Sequence, residues 1–183
     1  MADHNKQSPN NYTQVKNPEP AFKVPQDYIP WPFALKLMAK AEGFADSFYF
    51  DIASAISRRD GKRKRKPPVL RRRAMNASLM AMCFYYDPLS NKVQRSLREM
   101  AFECGLVRHS LTGEVSIERA VGALESLEKD FEFVSCSSSS YATAEIFLTP
   151  KLFEYLNIFP QALSEARLRC LNAKRGAKES ADE

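Results

Sequence analysis

Histidine is nearly missing from this chain: the two present, His4 and His109, lie in a polar N-terminal stretch and a polar loop. His109 has no obvious nucleophile or metal partner in local sequence. The 22 acidic residues are scattered, so the grouped imidazoles or carboxylates of a metal-dependent nicking enzyme are not in view. Only six glycines occur, and no G-x-x-x-x-G-K-[ST] or Gly-rich dinucleotide loop is formed from them. The four cysteines, Cys83, Cys104, Cys136 and Cys170, contain no C-x-x-C, which argues against a zinc knuckle and a disulfide scaffold and fits a reduced cytosolic compartment. Mean hydropathy is −0.41 and no apolar run reaches membrane-spanning length. Met1 to Asn17 lacks the apolar centre of a secretory signal. These gaps predict a cytoplasmic protein with no catalytic centre, cofactor or metal.

What is abundant is positive charge in one place. Ten of the sixteen residues from Arg58 to Arg73 are Lys or Arg, and with Asp60 they give +9. The whole chain carries +5, so the remainder is net acidic. A focused cationic run beside a folded domain suits a polyanion, because each neutralised phosphate releases condensed counterions. The run also reads as a solvated linker or a localisation tag. With 183 residues and 44% hydrophobic content, one domain with appendages is expected.

The pattern divides the chain as follows. Residues 1–30 hold five of the eleven prolines and read as an extended or disordered arm, with Tyr12, Phe22 and Tyr28 as anchors. Residues 31–57 read as a helical extension. Its first helix starts at Trp31 and ends at Gly43, with Leu35, Met38 and Ala39 inward. A second is capped by Asp46, with Phe50, Ala53, Ile56 and Ser57 on its inner face. Residues 58–68 form a basic linker. Pro67-Pro68 opens a helix with Leu70, Ala74, Ala77, Ala81 and Phe84 on one stripe, stopped by Asp87-Pro88. Lys92 to Arg95 is short and extended. Ser96-Leu97-Arg98-Glu99 fits a capping box, and Gly105 suits the end of that helix. Ser116 caps a further helix, buried through Ile117, Ala120, Val121, Leu124 and Leu127. Phe131–Ser135 and Ala144–Thr149 are strands around a serine-rich loop. A C-terminal helix over 159–175 and a polar tail, 176–183, follow.

From residue 69 to 158 the order is helix, short strand, helix, helix, strand, loop, strand. This is mainly α with a small antiparallel sheet, an α+β chain in the order of a winged helix-turn-helix with an N-terminal helical extension. In such a module the third helix enters the major groove and the wing lies on the backbone. The recognition candidates are Ser116, Glu118, Arg119 and Gly122, with Arg119 able to bond guanine O6 and N7. Backbone candidates are Lys62, Arg63, Lys64, Arg65, Lys66, Arg71, Arg72, Arg73, Arg95, Arg98 and Thr112. Ser137, Ser138, Ser139, Ser140 and Tyr141 form the wing. The same helix surface, alternating Glu and basic residues, also reads as a plain solvated face. Arg71 to Arg73 cannot face one way, since successive helical residues turn by about 100°.

Several segments resemble one family: "QVKNP" at Gln14–Pro18, "KLMAKAEGF" at Lys36–Phe44, "PPVLRRRA" at Pro67–Ala74, "CFYYDPLSNKVQRS" at Cys83–Ser96, "ECGL" at Glu103–Leu106 and "SIERAVGALESLEK" at Ser116–Lys129. In this order they are similar to the RepA-type replication initiators of IncFII-related plasmids. The resemblance implies a winged-helix bacterial protein that binds double-stranded DNA at the plasmid origin and needs no cofactor. It implies recruitment of host replication proteins, such as the host initiator and helicase-loading proteins, by a monomer or homodimer. Two other readings stand beside it: a winged-helix transcriptional or copy-number regulator, and a protein-interaction module with an incidental basic segment.

Overall fold

A computed structural model describes residues 17–110, 113–138 and 140–179, with side chains described to residue 176. Residues 17–30 carry no helix or strand. Helix α1 (Pro32–Ala41) begins with proline in its first turn, where a missing N–H costs nothing. A turn of 3-10 helix at Phe44–Asp46 leads to α2 (Phe48–Arg59), whose cap is Ser47, not Asp46: the Ser47 hydroxyl accepts from Phe50 N–H at 3.2 Å. Helix α3 (Val69–Phe84) follows the two prolines as expected.

Two short strands, β1 (Tyr86–Asp87) and β2 (Lys92–Val93), precede α4 (Leu97–Glu103). The capping box of α4 is present in both directions, Ser96 with Glu99 N–H and Glu99 with Ser96 N–H. A hairpin of β3 (Arg108–His109) and β4 (Val115–Ser116) leads into α5 (Glu118–Lys129). Then come β5 (Val134–Cys136), β6 (Ile146–Leu148), α6 (Pro150–Tyr155) and α7 (Pro160–Glu179). The main sheet is antiparallel in the order β1-β2-β6-β5, with Lys92 opposite Phe147 and Ser135 opposite Phe147 on the other side. The fold is therefore α+β, helical with a small antiparallel sheet.

Helix α3 is central, with nine buried residues from Ala74 to Phe84, and both α1 and α5 lie against it. Alanines on α3 allow close helix approach while Met75, Leu79, Met82 and Phe84 fill the core. Phe44 sits at the hub of an aromatic cluster, its ring 5.1 to 5.5 Å from those of Phe131, Phe133, Phe50 and Tyr155. A second cluster joins Phe22 and Tyr28 of the N-terminal segment to Phe84 and Tyr85.

Two helix registers differ from expectation. The buried stripe of α1 is Ala34, Leu37 and Ala41, and Leu35 is left 43% exposed. That of α2 is Phe50, Ser54 and Ser57, with Ile56 outward. On α2 the more apolar stripe, Phe48, Ile52 and Ile56, is the one left outward. No described helix is long and apolar enough to cross a membrane.

Candidate nucleic-acid interface

Helix α5, the expected recognition helix, is held on several sides. Ser116 lies on β4, one residue before the cap position that Ile117 holds, and its hydroxyl accepts from Glu118 N–H at 3.4 Å. Glu118 is exposed and ion-paired with Arg108 at 2.5 Å. Arg119 is half-buried, and its Nη2 donates to the Asn17 carbonyl at 2.9 Å. Its Nη1 is buried and meets no hydrogen-bond partner among the described residues. Burial, then the charge of Arg108, holds the Arg119 guanidinium below its ordinary pKa.

Gly122 does not stand on an exposed face; it is buried, and its carbonyl accepts from Arg71. A Cβ there would lie 2.7 Å from Arg71 Cζ, so the missing side chain is what lets the guanidinium reach α5. Four residues on, Ser126 Oγ accepts from Arg63 Nη1 at 3.3 Å and from Arg71 Nη1 at 3.5 Å. Four further on, Asp130 pairs with Arg63 at 2.5 Å and accepts from Ser57 Oγ at 3.2 Å. One face of α5 is thus covered by two arginines of the basic run. Burial and the neighbouring Arg63 hold Arg71 below its ordinary value.

The basic run is not free. Arg58 and Arg59 close α2, and Arg63 N–H returns to the Ser57 carbonyl at 3.2 Å. Lys62 meets Glu132 at 3.1 Å and Lys66 meets Asp51 at 2.6 Å. The basic linker folds back because acids on two sides meet it: Asp51 of α2 takes Lys66, and Asp130 and Glu132, just after α5, take Arg63 and Lys62. Lys64 and Arg65 are exposed and have no acid partner among the described residues. The three successive arginines do diverge. Arg71 turns to α5, Arg72 to Asp46 at 3.7 Å, and Arg73 to the Pro18 carbonyl at 2.9 Å and Glu19 at 3.6 Å.

Arg95 is committed inside the fold: it meets Glu103 at 2.9 Å and Glu99 at 3.6 Å, and lies 5.2 Å from the centre of the Tyr85 ring. Arg98 is exposed. In the loop between β5 and β6, Ser137 Oγ accepts from Glu145 N–H at 2.9 Å and Ser138 Oγ from Ser140 N–H at 3.1 Å. Tyr141 turns back and donates to Glu128 of α5 at 2.7 Å; burial, then that bond, raises its pKa. The loop is therefore tied to α5 through Tyr141 and through Cys136 N–H, which reaches Glu128 at 2.9 Å. Thr112 and Ser139 lie outside the described residues.

Sequence reasoning did not single out Arg108, Asn17 or Asp130. Their partners lie 10, 102 and 67 residues away, beyond the reach of local pattern. All four cysteines are free, and among the described residues no three His, Cys, Asp or Glu side chains are grouped to hold a metal ion.

These features define an α+β protein whose central helices carry a cationic, partly self-neutralised face. The chain belongs to the IncFII RepA protein family, which it matches over residues 10–182. It is 41% identical over 165 residues to an Escherichia coli protein named "Replication initiation protein", covering 85% of this chain and 56% of that one. A "Probable replication-associated protein repA2" of Buchnera aphidicola subsp. Schizaphis graminum is 34% identical over 115 residues, 57% of this chain and 46% of the relative. A "Probable replication-associated protein repA1" of Buchnera aphidicola subsp. Cinara cedri is 26% identical over 169 residues, 86% of this chain and 60% of the relative. The chain spans about half the length of the curated relatives it matches. No solved structure matches it.

Proposed function

We propose that this chain is the DNA-binding part of a plasmid replication initiator, which recognises its origin as a duplex and brings host replication proteins to it. The observation that carries the reading is family membership over nearly the whole chain, with an E. coli replication initiation protein 41% identical. The element order supports a winged helix: α3, β2, α4, α5, β5, β6, with β2 beside β6 and β6 beside β5. The hairpin of β3 and β4 stands where a tight helix–helix turn would be. Helix α5 is the groove-facing element of this proposal, with Arg119, near its N-terminal end, a DNA-contacting candidate. Lys64, Arg65 and Arg98, exposed and without acid partners among the described residues, are its phosphate contacts. Binding, not catalysis, is the proposed activity.

Gel shift of a fragment of the replicon's own origin against scrambled DNA, at physiological salt, tests this. A clear preference for the origin is expected, and Lys64→Ala with Arg65→Ala lowers affinity equally for both DNAs with a salt slope reduced by about 2. Equal binding of origin and scrambled DNA by the unaltered chain overturns the proposal.

A further inference from the structure

The N-terminal segment occupies two arginines that the interface reading would give to DNA. The Asn17 carbonyl accepts from Arg119 Nη2 at 2.9 Å, and the next carbonyl, of Pro18, accepts from Arg73 Nη1 at 2.9 Å. The Glu19 carboxylate lies 3.6 Å from that same Arg73 nitrogen. Arg73 is on α3 and Arg119 on α5, so one dipeptide bridges the two helices.

The bridge has its own seat. Asn17 Oδ1 accepts from Glu19 N–H at 3.0 Å, while Asn17 Nδ2 donates to the Gly105 carbonyl at 3.3 Å. A Cβ at Gly105, whose φ is +64°, would stand 2.6 Å from Asn17 Nδ2. Behind it, Lys23 N–H donates to the Glu103 carbonyl at 3.1 Å, and Phe22 packs on Phe84 with ring centres 5.3 Å apart. The segment is therefore anchored downstream and held at 17–19 by a few exposed polar bonds.

Two adjacent carbonyl oxygens and a carboxylate form the acceptor set that a phosphodiester also presents. In the strap, Arg119 meets only a neutral carbonyl and Arg73 a carbonyl with a carboxylate 3.6 Å away, whereas a phosphodiester offers both an anionic acceptor. Arg119 Nη1, buried and unpartnered among the described residues, is a donor that the segment leaves unused. We infer that Arg73 and Arg119 form a phosphodiester-binding site, that residues 17–19 strap it shut in the free protein, and that duplex DNA binds by displacing the strap. This rests on the DNA-binding reading above. Glu19 opposes DNA by like charge as well as by holding Arg73. The apparent affinity is then lowered by the fraction of molecules in which the strap is open.

Fluorescence anisotropy of the full chain with a short labelled origin duplex, across a salt series, tests the inference. Asn17→Ala with Glu19→Ala is expected to tighten binding about three- to tenfold. Glu154→Ala on α6, matched in charge, should change it less than about twofold. Arg73→Ala with Arg119→Ala should weaken binding and lower the salt slope by up to about 2, and then make the strap variant silent. Hydrogen exchange at the Glu19 amide should speed up when DNA is added. Binding by the unaltered chain, with the strap variant no tighter and Glu19 exchange unchanged or slowed, overturns the strap. Absence of any origin preference in the unaltered chain removes the DNA-binding reading, and the strap with it.

Discussion

Replacing Asp130 with alanine removes the acid that meets Arg63. The pair is 2.5 Å apart, with side chains 20% (Arg63) and 9% (Asp130) exposed. Ser57 Oγ loses its acceptor, and Arg63 keeps only the Ser126 hydroxyl at 3.3 Å. Removing one member of a fully buried pair costs about 3–5 kcal/mol. Arg63 retains contact with water and can turn outward, so about 2–3 kcal/mol is expected here. For a chain of this length, that lowers Tm by about 4–12 °C. Urea unfolding of Arg63→Ala, Asp130→Ala and the double variant gives the coupling, expected at about 1.5–3 kcal/mol because the two groups touch. A coupling below about 0.5 kcal/mol, the level of an exposed ion pair, would refute the conclusion that this pair pins the basic loop to α5.

Ser96→Ala removes one half of the α4 capping box and should cost about 1 kcal/mol, seen as a Tm loss of about 2–4 °C by circular dichroism; no measurable loss contradicts it. Glu132 is held below the ordinary 4.5 of a glutamate by hydrogen bonds from Lys151, then Lys62. A depressed carboxyl stabilises above its unfolded value and loses that contribution as pH falls through its folded one. The stability gap between the native chain and Glu132→Gln at pH 7 should therefore close as pH drops below 4.5, and a gap persisting at lower pH in urea titrations would count against the pairing. Burial pushes the Cys83 and Cys104 thiols up to about 12, so a chromogenic disulfide reagent at pH 8 should label them far more slowly in the native chain than in urea; equal rates would disprove their burial.

The start of α4 was legible because a capping box is complete within four residues, Ser96 to Glu99. The start of α3 was legible for the same reason, two prolines that cannot sit in a helix interior. Caps at Asp46 and Ser116 failed because a good capping residue lies next to, but not at, the backbone position that needs one; Ser47 and Ile117 hold those positions. Strands β1, β3 and β4 are two residues each, too short for an alternating pattern to register. The inner stripes of α1 and α2 were only partly legible because amphipathic periodicity gives the spacing of a buried face, while tertiary packing chooses which face is buried.

Sequence alone determined the family, the α+β class and the concentration of cations between Arg58 and Arg73, since all three are written in local runs. Tertiary structure decided what those cations do. Arg63 and Arg71 close over Gly122, Ser126 and Asp130, Arg73 and Arg119 hold the N-terminal segment, and Lys64 and Arg65 stand exposed with no acid partner among the described residues. The physical reason is that a charge acts on whatever lies within a few ångströms of it. For this run those neighbours come from residues tens of positions away, brought close only when the apolar core assembles.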